Sequence, residues 1–134
     1  SGSQQILDNS NRKIHVTQIK AAAQLIMKKG IGLRISVIFG LPWETTETIR
    51  ETLHLLQEIK PNVTFLNLAT LYPGCHVQNA SLHAQNETWI RQFGGHGIGG
   101  QLILPNAMTP ADYRKNAENC RKTIELLNKF HWNR

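Results

Sequence analysis

The chain has 134 residues, of which 40% are hydrophobic and 18% are charged. This length and composition are typical of one globular domain and exclude a disordered segment. Its longest apolar run is far shorter than the ~20 residues of a membrane-spanning helix, and no secretion signal opens it, so we expect a cytoplasmic protein without membrane contact. The formal charge of +6 allows contact with polyanions, but the basic residues are interleaved with acidic ones, and a solvated surface is the simpler interpretation.

The two cysteines, Cys75 and Cys120, are too few for a disulfide framework and lack the spacing of metal ligands. We expect reduced thiols and no metal site formed by this chain.

Two helices are predicted first. Gln4 to Asn9 has the pattern of one short helical turn, and Thr17 to Lys29 predicts a longer helix that begins with Thr17 as its N-cap and ends at Gly30. Apolar residues at three- and four-residue spacing form one buried stripe on the longer helix: Val16, Ile19, Ala23 and Ile26.

The apolar stretch from Leu33 to Phe39 predicts a strand with two different faces. The odd-numbered residues are aliphatic or aromatic and are expected to pack on helices. Arg34, Ser36 and Ile38 share the other face with Gly40. A face with Arg and Ser suits a cofactor-lined interior or a simple exposed edge, and the residues alone leave both open.

The turn Gly40-Leu41-Pro42 ends this strand, because proline cannot continue it, and Thr45 or Thr46 can cap the following helix, Thr46 to Ile59. The glycine allows the backbone to approach a ligand closely. Since ligands bind beyond the carboxyl ends of parallel strands, this turn is the first candidate site.

A second strand is predicted from Val63 to Tyr72, so strand, helix and strand form a right-handed βαβ unit with parallel strands. Beyond it, His76 to Asn86 is loop-like and Glu87 to Phe93 is predicted as a short helix. Gly94 to Gly100 formally matches a dinucleotide fingerprint, but it lacks the preceding strand and following helix, so we interpret it as a linker.

The last elements are a strand-like segment, Gln101 to Leu104, and a helix that starts with Thr109 as cap and Pro110 at its first position. This helix has a buried stripe of five residues: Tyr113, Ala117, Cys120, Ile124 and Leu127.

Three signatures in order resemble the second half of a radical SAM domain, in the branch of coproporphyrinogen oxidase-like, methylthiotransferase-like and cobalamin-dependent enzymes. Ser1-Gly2-Ser3-Gln4 resembles the family's Glu-Ser-Gly-Ser-Gln run after the fourth strand, although a Gly/Ser leader left by cloning is the alternative. Gly40 to Thr45 resembles Gly-Leu-Pro-Gly-Glu-Thr after the fifth strand, with Trp43 in place of glycine. Leu71 to Gly74 resembles the Pro-Tyr-Pro-Gly that closes the sixth strand.

The resemblance implies an α/β fold that is an incomplete TIM barrel of parallel βα units with a C-terminal helix. Residues 1–74 correspond to the second half of the barrel, 75–108 to a linker and irregular segment, and 109–134 to the C-terminal helix. It also implies six positions that contact S-adenosylmethionine: Ser1 and Ser3 near its ribose and carboxylate, and Ile38, Gly40, Leu71 and Tyr72 around its adenine.

In this family three cysteines, Cys-x3-Cys-x2-Cys, hold a [4Fe-4S] cluster that cleaves S-adenosylmethionine to a 5′-deoxyadenosyl radical. Cys75 and Cys120 lie 45 residues apart and cannot form that site. The chain therefore resembles a fragment that is inactive alone, from a parent enzyme of oxidoreductase or transferase type. The substrate, and the use of cobalamin by the parent, are set outside these residues.

The expected partner is the missing N-terminal half of the barrel, and the open edge of a small parallel sheet predicts self-association of the isolated fragment. The alternative from a different class is a small α/β interaction module that binds tRNA, another RNA or a further polyanion through its positive charge.

Overall fold

The computed structural model describes residues 1–71, 81–83 and 101–132. In chain order the elements are α1 (Gln4–Asn9), α2 (Val16–Lys28), β1 (Arg34–Phe39), α3 (Thr46–Ile59), β2 (Val63–Leu68), β3 (Thr70–Leu71), β4 (Ser81–His83), β5 (Gln101–Leu104) and α4 (Pro110–Trp132).

The predicted βαβ unit is confirmed. β1 and β2 pair in parallel, from Arg34 opposite Val63 to Phe39 opposite Leu68, and α3 is the crossover between them. The described strands form this open parallel pair and a separate antiparallel sheet in the order β3-β5-β4, and they do not close into a barrel. The chain is thus a small α/β fold with a long C-terminal helix.

Capping side chains set the start of two helices as expected. The Thr45 hydroxyl accepts a hydrogen bond from the Thr48 N–H (3.3 Å) and marks the start of α3. At α4, the Thr109 hydroxyl accepts from the Asp112 N–H (3.2 Å). The prediction of Thr17 as cap of α2 was wrong by two positions, because the Gln18 side chain bonds the N–H of His15 (2.8 Å) and the helix begins at Val16.

Helices α3 and α4 pack against the same face of the parallel pair. The core between them comprises Phe39, Ile49, Leu68, Leu102, Met108, Tyr113, Ala117 and Cys120, with Val37, Leu56 and Ile124 beside it. The odd-numbered face of β1 is therefore the helix-covered one. The predicted stripe of α4 is buried from Tyr113 to Ile124, and its last residue, Leu127, is half-buried. Cys120 is 3% exposed, as its place in that stripe indicates.

The single strand predicted from Val63 to Tyr72 is wrong at its second half. β2 stops at Leu68, and the Ala69 N–H bonds the carbonyl of Phe39 (2.6 Å), the last residue of β1. Because β1 offers no further partner, the chain turns away, and Thr70–Leu71 pairs antiparallel with β5 instead.

The segment from 76 to 86 was predicted as a loop, but Ser81–His83 forms a strand that pairs with β5. Three residues are too few for a periodic signal, and the partner strand supplies the hydrogen bonds. Tyr72, the helix predicted at 87–93 and the glycine-rich linker at 94–100 lie outside the described residues. None of the described helices is both long and apolar enough to cross a membrane.

Candidate functional site

Gly40 lies at the carboxyl end of β1 in a conformation that favours glycine, with φ of +98°. A Cβ at this position would lie 2.7 Å from the hydroxyl oxygen and 2.9 Å from Cε2 of Tyr113. The Tyr113 ring also stacks at a tilt on Phe39, with 5.0 Å between ring centroids. The space beside Gly40 that we expected a ligand to use is therefore filled by helix α4.

Glu44 closes the turn that Gly40 begins. Its carboxylate accepts a hydrogen bond from the Gly40 N–H (2.5 Å), and its own N–H donates to the Leu41 carbonyl (3.0 Å). The side chain is 3% exposed, and burial raises the pKa of this carboxyl to about 7, against the backbone N–H groups of Gly40 and Leu41 and the nearby amino terminus, which lower it.

Glu44 lies among other buried ionisable groups. Burial raises the pKa of the Tyr113 phenol, and that of the Cys120 thiol to about 12, and the charge of Glu44 adds to both shifts. Both groups are protonated at neutral pH, so this cluster offers no activated nucleophile. The cluster instead lies where the Gly40 turn packs on helix α4.

Trp43 occupies the position at which the family resemblance has glycine. Among the described residues, the non-glycine positions with positive φ are Asn11 and Lys60. Trp43 is therefore in an ordinary backbone region, and this turn does not need a glycine there.

The N-terminal segment packs on α3. The Ser1 hydroxyl lies 3.2 Å from the Thr52 hydroxyl, which also accepts from the Gly2 N–H (2.9 Å). Ser3 is 2% exposed, and its N–H donates to the Ser1 hydroxyl (3.1 Å). The Ser3 side chain is thus enclosed by protein rather than presented to a ligand.

The sheet face opposite the helices is exposed, and we call it the open face: Arg34, Ser36, Ile38, Phe65 and Asn67. Ile38 and Phe65 are 46% and 52% exposed, unusual values for large apolar side chains in strands. The Asn67 side chain donates to the Ser36 hydroxyl across the two strands (2.7 Å). The open face thus combines accessible apolar surface with a polar pair.

Of the six positions carried over from the resemblance, the structure brings Ile38 and Gly40 together at the carboxyl end of β1. Leu71 lies in β3, just beyond the carboxyl end of β2 and opposite Gln101. Ser3 is sequestered, and Tyr72 is outside the described residues. Glu44 was overlooked as a site residue; an acid two positions after the proline of a Gly-x-Pro turn is the signal that it could close that turn.

Within the described parts of the chain, no group of three or more His, Cys, Asp or Glu side chains is arranged to hold a metal ion. No protein-family model, curated protein or solved structure matches the chain. The described residues define a small α/β protein whose βαβ unit is covered by helices on one face and exposed on the other.

Proposed function

We propose that the chain is the C-terminal half of a radical SAM domain and contributes part of the S-adenosylmethionine pocket to an incomplete TIM barrel. The observation that carries the proposal is the one-sided βαβ unit, in which α3 and α4 cover one face and the Gly40 turn follows directly on the strand. In a (β/α) barrel the helices pack outside, and the other face of each strand lines the interior.

The composition of the open face supports its proposed place in the interior of a barrel. Phe65 exposes apolar surface at the middle of the parallel pair and Ile38 near its carboxyl end, next to the hydrogen-bonded Ser36 and Asn67. Apolar walls with a few fixed polar groups are typical of small-molecule sites. On a sheet that faced only water, such a surface would be costly.

Not all six positions from the resemblance suit a direct contact with S-adenosylmethionine. Ile38 is accessible at the correct end of β1 and fits an apolar contact with adenine, and Leu71 and Tyr72 follow the second strand. Gly40 serves the pocket by shaping the turn, since its N–H is occupied by Glu44. Ser3 does not fit a ligand contact, because it is buried. Gly2 fits closely against the backbone of α3, which favours Ser1 to Ser3 as natural sequence rather than a cloning leader.

The described residues do not fit a [4Fe-4S] cluster. Cys120 lies in the core with a raised pKa, and no metal-binding group is formed in the described part of the chain. The cluster, the reductive cleavage of S-adenosylmethionine and the choice of substrate therefore belong to the proposed missing half, and this chain alone should not catalyse the reaction.

The test compares this chain with a parent chain that contains both halves, reconstituted with iron and sulfide. We expect S-adenosylmethionine binding by calorimetry, and 5′-deoxyadenosine formation, only in the parent. In the parent, Ile38→Asp should weaken binding at least about 10-fold by placing a charge against an apolar ligand surface. Ile31→Asp is the control, because Ile31 is also exposed (59%) but precedes β1 at the opposite end. A parent without Cys-x3-Cys-x2-Cys, or one that binds no S-adenosylmethionine, refutes the proposal.

The second candidate is an RNA-binding module, and the exposed Phe65 on the open face favours it, because exposed aromatic rings on sheets stack bases. On this proposal, single-stranded RNA binds with an affinity that falls with salt, and Phe65→Ala weakens it about 10-fold. Binding that is unaffected by Phe65→Ala would exclude the open face as the RNA site.

A further inference from the structure

Three helices end on the same side of the fold, at the amino end of the parallel pair. α2 leads into β1 and α3 leads into β2, and the two connecting loops lie together, since the Leu33 N–H donates to the Asn62 side chain (2.6 Å). The Asn128 side chain, near the end of α4, bonds both backbone groups of Thr64 near the start of β2 (2.9 and 3.0 Å). The C-terminal ends of α2, α3 and α4 therefore lie next to one another.

Each of these three helix ends carries exposed lysine. We call the surface that they form the basic end: Lys28, Lys29, Lys60 and Lys129. Within the described residues none of the four is in an ion pair. The acidic residues closest to the ends of α3 and α4 in the sequence, Glu58 and Glu125, are already paired with Lys20 and Arg121. The charge of the basic end is thus not neutralised by its neighbours.

The fold concentrates a charge that is dispersed in the sequence. The formal charge of the chain is +6, and the four lysines of the basic end supply most of it. The other eleven basic residues nearly balance the nine acidic ones. The interleaved, solvated surface expected from the sequence is therefore not what this end of the molecule has.

The helix dipole alone does not explain all four lysines. Cations in the last turn of a helix interact favourably with it, which accounts for Lys28 and Lys129 without a ligand. Lys60, however, is the C-cap of α3 in the left-handed conformation, with φ of +53°, where glycine is favoured and a side chain is costly. A lysine at a position that favours glycine indicates that its charge has a use other than stability.

The dimensions of the basic end suit an extended polyanion. α3 packs against both α2 and α4, and packed helices lie about 10 Å apart, so the lysines extend over about 20 Å. A nucleic acid duplex has one negative charge per ~1.7 Å of its axis, so a row of this length faces about a dozen phosphates. In the described part of the chain, Ile31 is the one large apolar side chain exposed in the loops at this end, which is little for insertion into a membrane.

We propose that the basic end binds the phosphate backbone of a nucleic acid duplex without reading its sequence. Lysines are point charges on flexible side chains, which suits contacts with phosphates rather than with base edges. The basic end lies at the opposite end of the parallel pair from the Gly40 turn and does not include Phe65. The proposal is therefore independent of the S-adenosylmethionine pocket and of RNA binding by the open face.

The test measures binding of a mixed-sequence duplex to the chain by fluorescence anisotropy, with a duplex of about 20 base pairs that exceeds the span of the basic end. Four phosphate contacts should give a slope of about −3.6 in log K against log salt, so affinity for duplex DNA should fall about 150-fold between 50 and 200 mM salt. The RNA duplex of the same sequence should bind with similar affinity, because phosphates alone are contacted.

Two double variants with the same net charge test the location of the site. Lys28→Gln with Lys29→Gln should weaken binding about 50-fold at 100 mM salt and reduce the salt slope by about 2. Lys13→Gln with Lys115→Gln changes two exposed lysines near the opposite ends of α2 and α4, and should change the affinity less than about 3-fold. All four side chains are exposed, so neither double variant should prevent folding.

A single substitution separates binding from stability. Lys60→Gly should raise the urea midpoint, because glycine adopts the left-handed conformation at lower cost, and yet weaken duplex binding about 8-fold at 100 mM salt. Asn11→Gly is the matched control, because Asn11 also has φ of +53° but lies outside the basic end, and it should leave binding unchanged. Weaker binding by a more stable variant cannot result from unfolding.

Equal losses in the two double variants, or unchanged binding in Lys60→Gly, overturn the proposal. Tighter binding of single-stranded RNA than of the duplex, abolished by Phe65→Ala, also overturns it, since the open face would then be the site. Tighter binding to phosphatidylserine vesicles than to the duplex would assign the basic end to a membrane and has the same consequence. None of these readouts involves S-adenosylmethionine or iron, so this proposal and the proposed function fail separately.

Discussion

Substitution of Gly40 by alanine tests whether the Gly40 turn and helix α4 form one packed unit. The new methyl group would lie 2.7 Å from the Tyr113 hydroxyl oxygen and 2.9 Å from Cε2, closer than Cβ contacts normally allow. Tyr113 is fully buried, so its ring cannot move aside freely. The φ of +98° is a second obstacle, because L-residues with a Cβ rarely adopt it.

The chain contains two controls that separate these effects. Gly30 has φ of +70°, but a methyl group added there would meet no atom within 4 Å, so Gly30→Ala should cost about 1 kcal/mol from the backbone alone. Gly32 has neither obstacle, and Gly32→Ala should be neutral or stabilising by about 0.5 kcal/mol. Gly40→Ala adds the overpacking cost, about 1–3 kcal/mol, and should destabilise by about 3 kcal/mol in all.

Urea unfolding at constant pH measures all three free energies. With a slope near 2 kcal/mol/M, Gly40→Ala should lower the midpoint by about 1.5 M and Gly30→Ala by about 0.5 M. In a Tyr113→Leu background the added cost of Gly40→Ala should shrink, since the clashing ring atoms are gone. Equal costs for Gly40→Ala and Gly30→Ala would refute the close packing of Gly40 against Tyr113.

Three further predictions concern other residues of the fold. The raised pKa of Glu44 means that the folded state holds a proton that the unfolded state releases, so stability should fall by about 3 kcal/mol as the pH rises from 4.5 to 7. Urea midpoints across this range should lose that slope in Glu44→Gln and keep it in Glu51→Gln, a change of an exposed acid on α3. Thr45→Ala should cost about 1 kcal/mol by removing the cap of α3, whereas Thr17→Ala, outside the actual cap of α2, should cost nothing measurable by the same method; equal losses would contradict the assignment. In a Cys75→Ala background, Cys120 should react with a thiol reagent only after unfolding, and rapid reaction of the native protein would contradict its burial.

The sequence was a reliable guide where the signal is local. The Gly40 turn, the Thr45 cap and the four-three spacing of the α4 stripe each depend on residues a few positions apart, and the structure has all of them. The parallel pairing of β1 and β2 followed as well, because a 14-residue helix between two apolar runs leaves a right-handed crossover as the favoured connection.

The sequence was a poor guide where contacts between residues far apart in the chain determine the structure. The break at Ala69 depends on the length of β1, which ends 30 residues earlier, and on β5, which begins more than 30 residues later. The space beside Gly40 is filled by Tyr113, 73 residues away in the chain, so a glycine that suggested room for a ligand is in fact required by packing. Composition and periodicity carry no information about such contacts.

The glutamate at position 44 satisfies a buried backbone donor. The Gly40 N–H donates to its carboxyl group, and the Leu41 N–H lies close enough to lower its pKa. An apolar side chain at this position would leave the buried Gly40 N–H unpaired, at a cost of about 1–3 kcal/mol. Glutamine would keep an oxygen acceptor for this N–H, whereas the carboxylate carries its own burial cost, which is why the pKa of Glu44 is raised. The Gly40 turn therefore requires an acceptor at this point rather than a charge, and the donor that it satisfies is the first backbone N–H beyond β1.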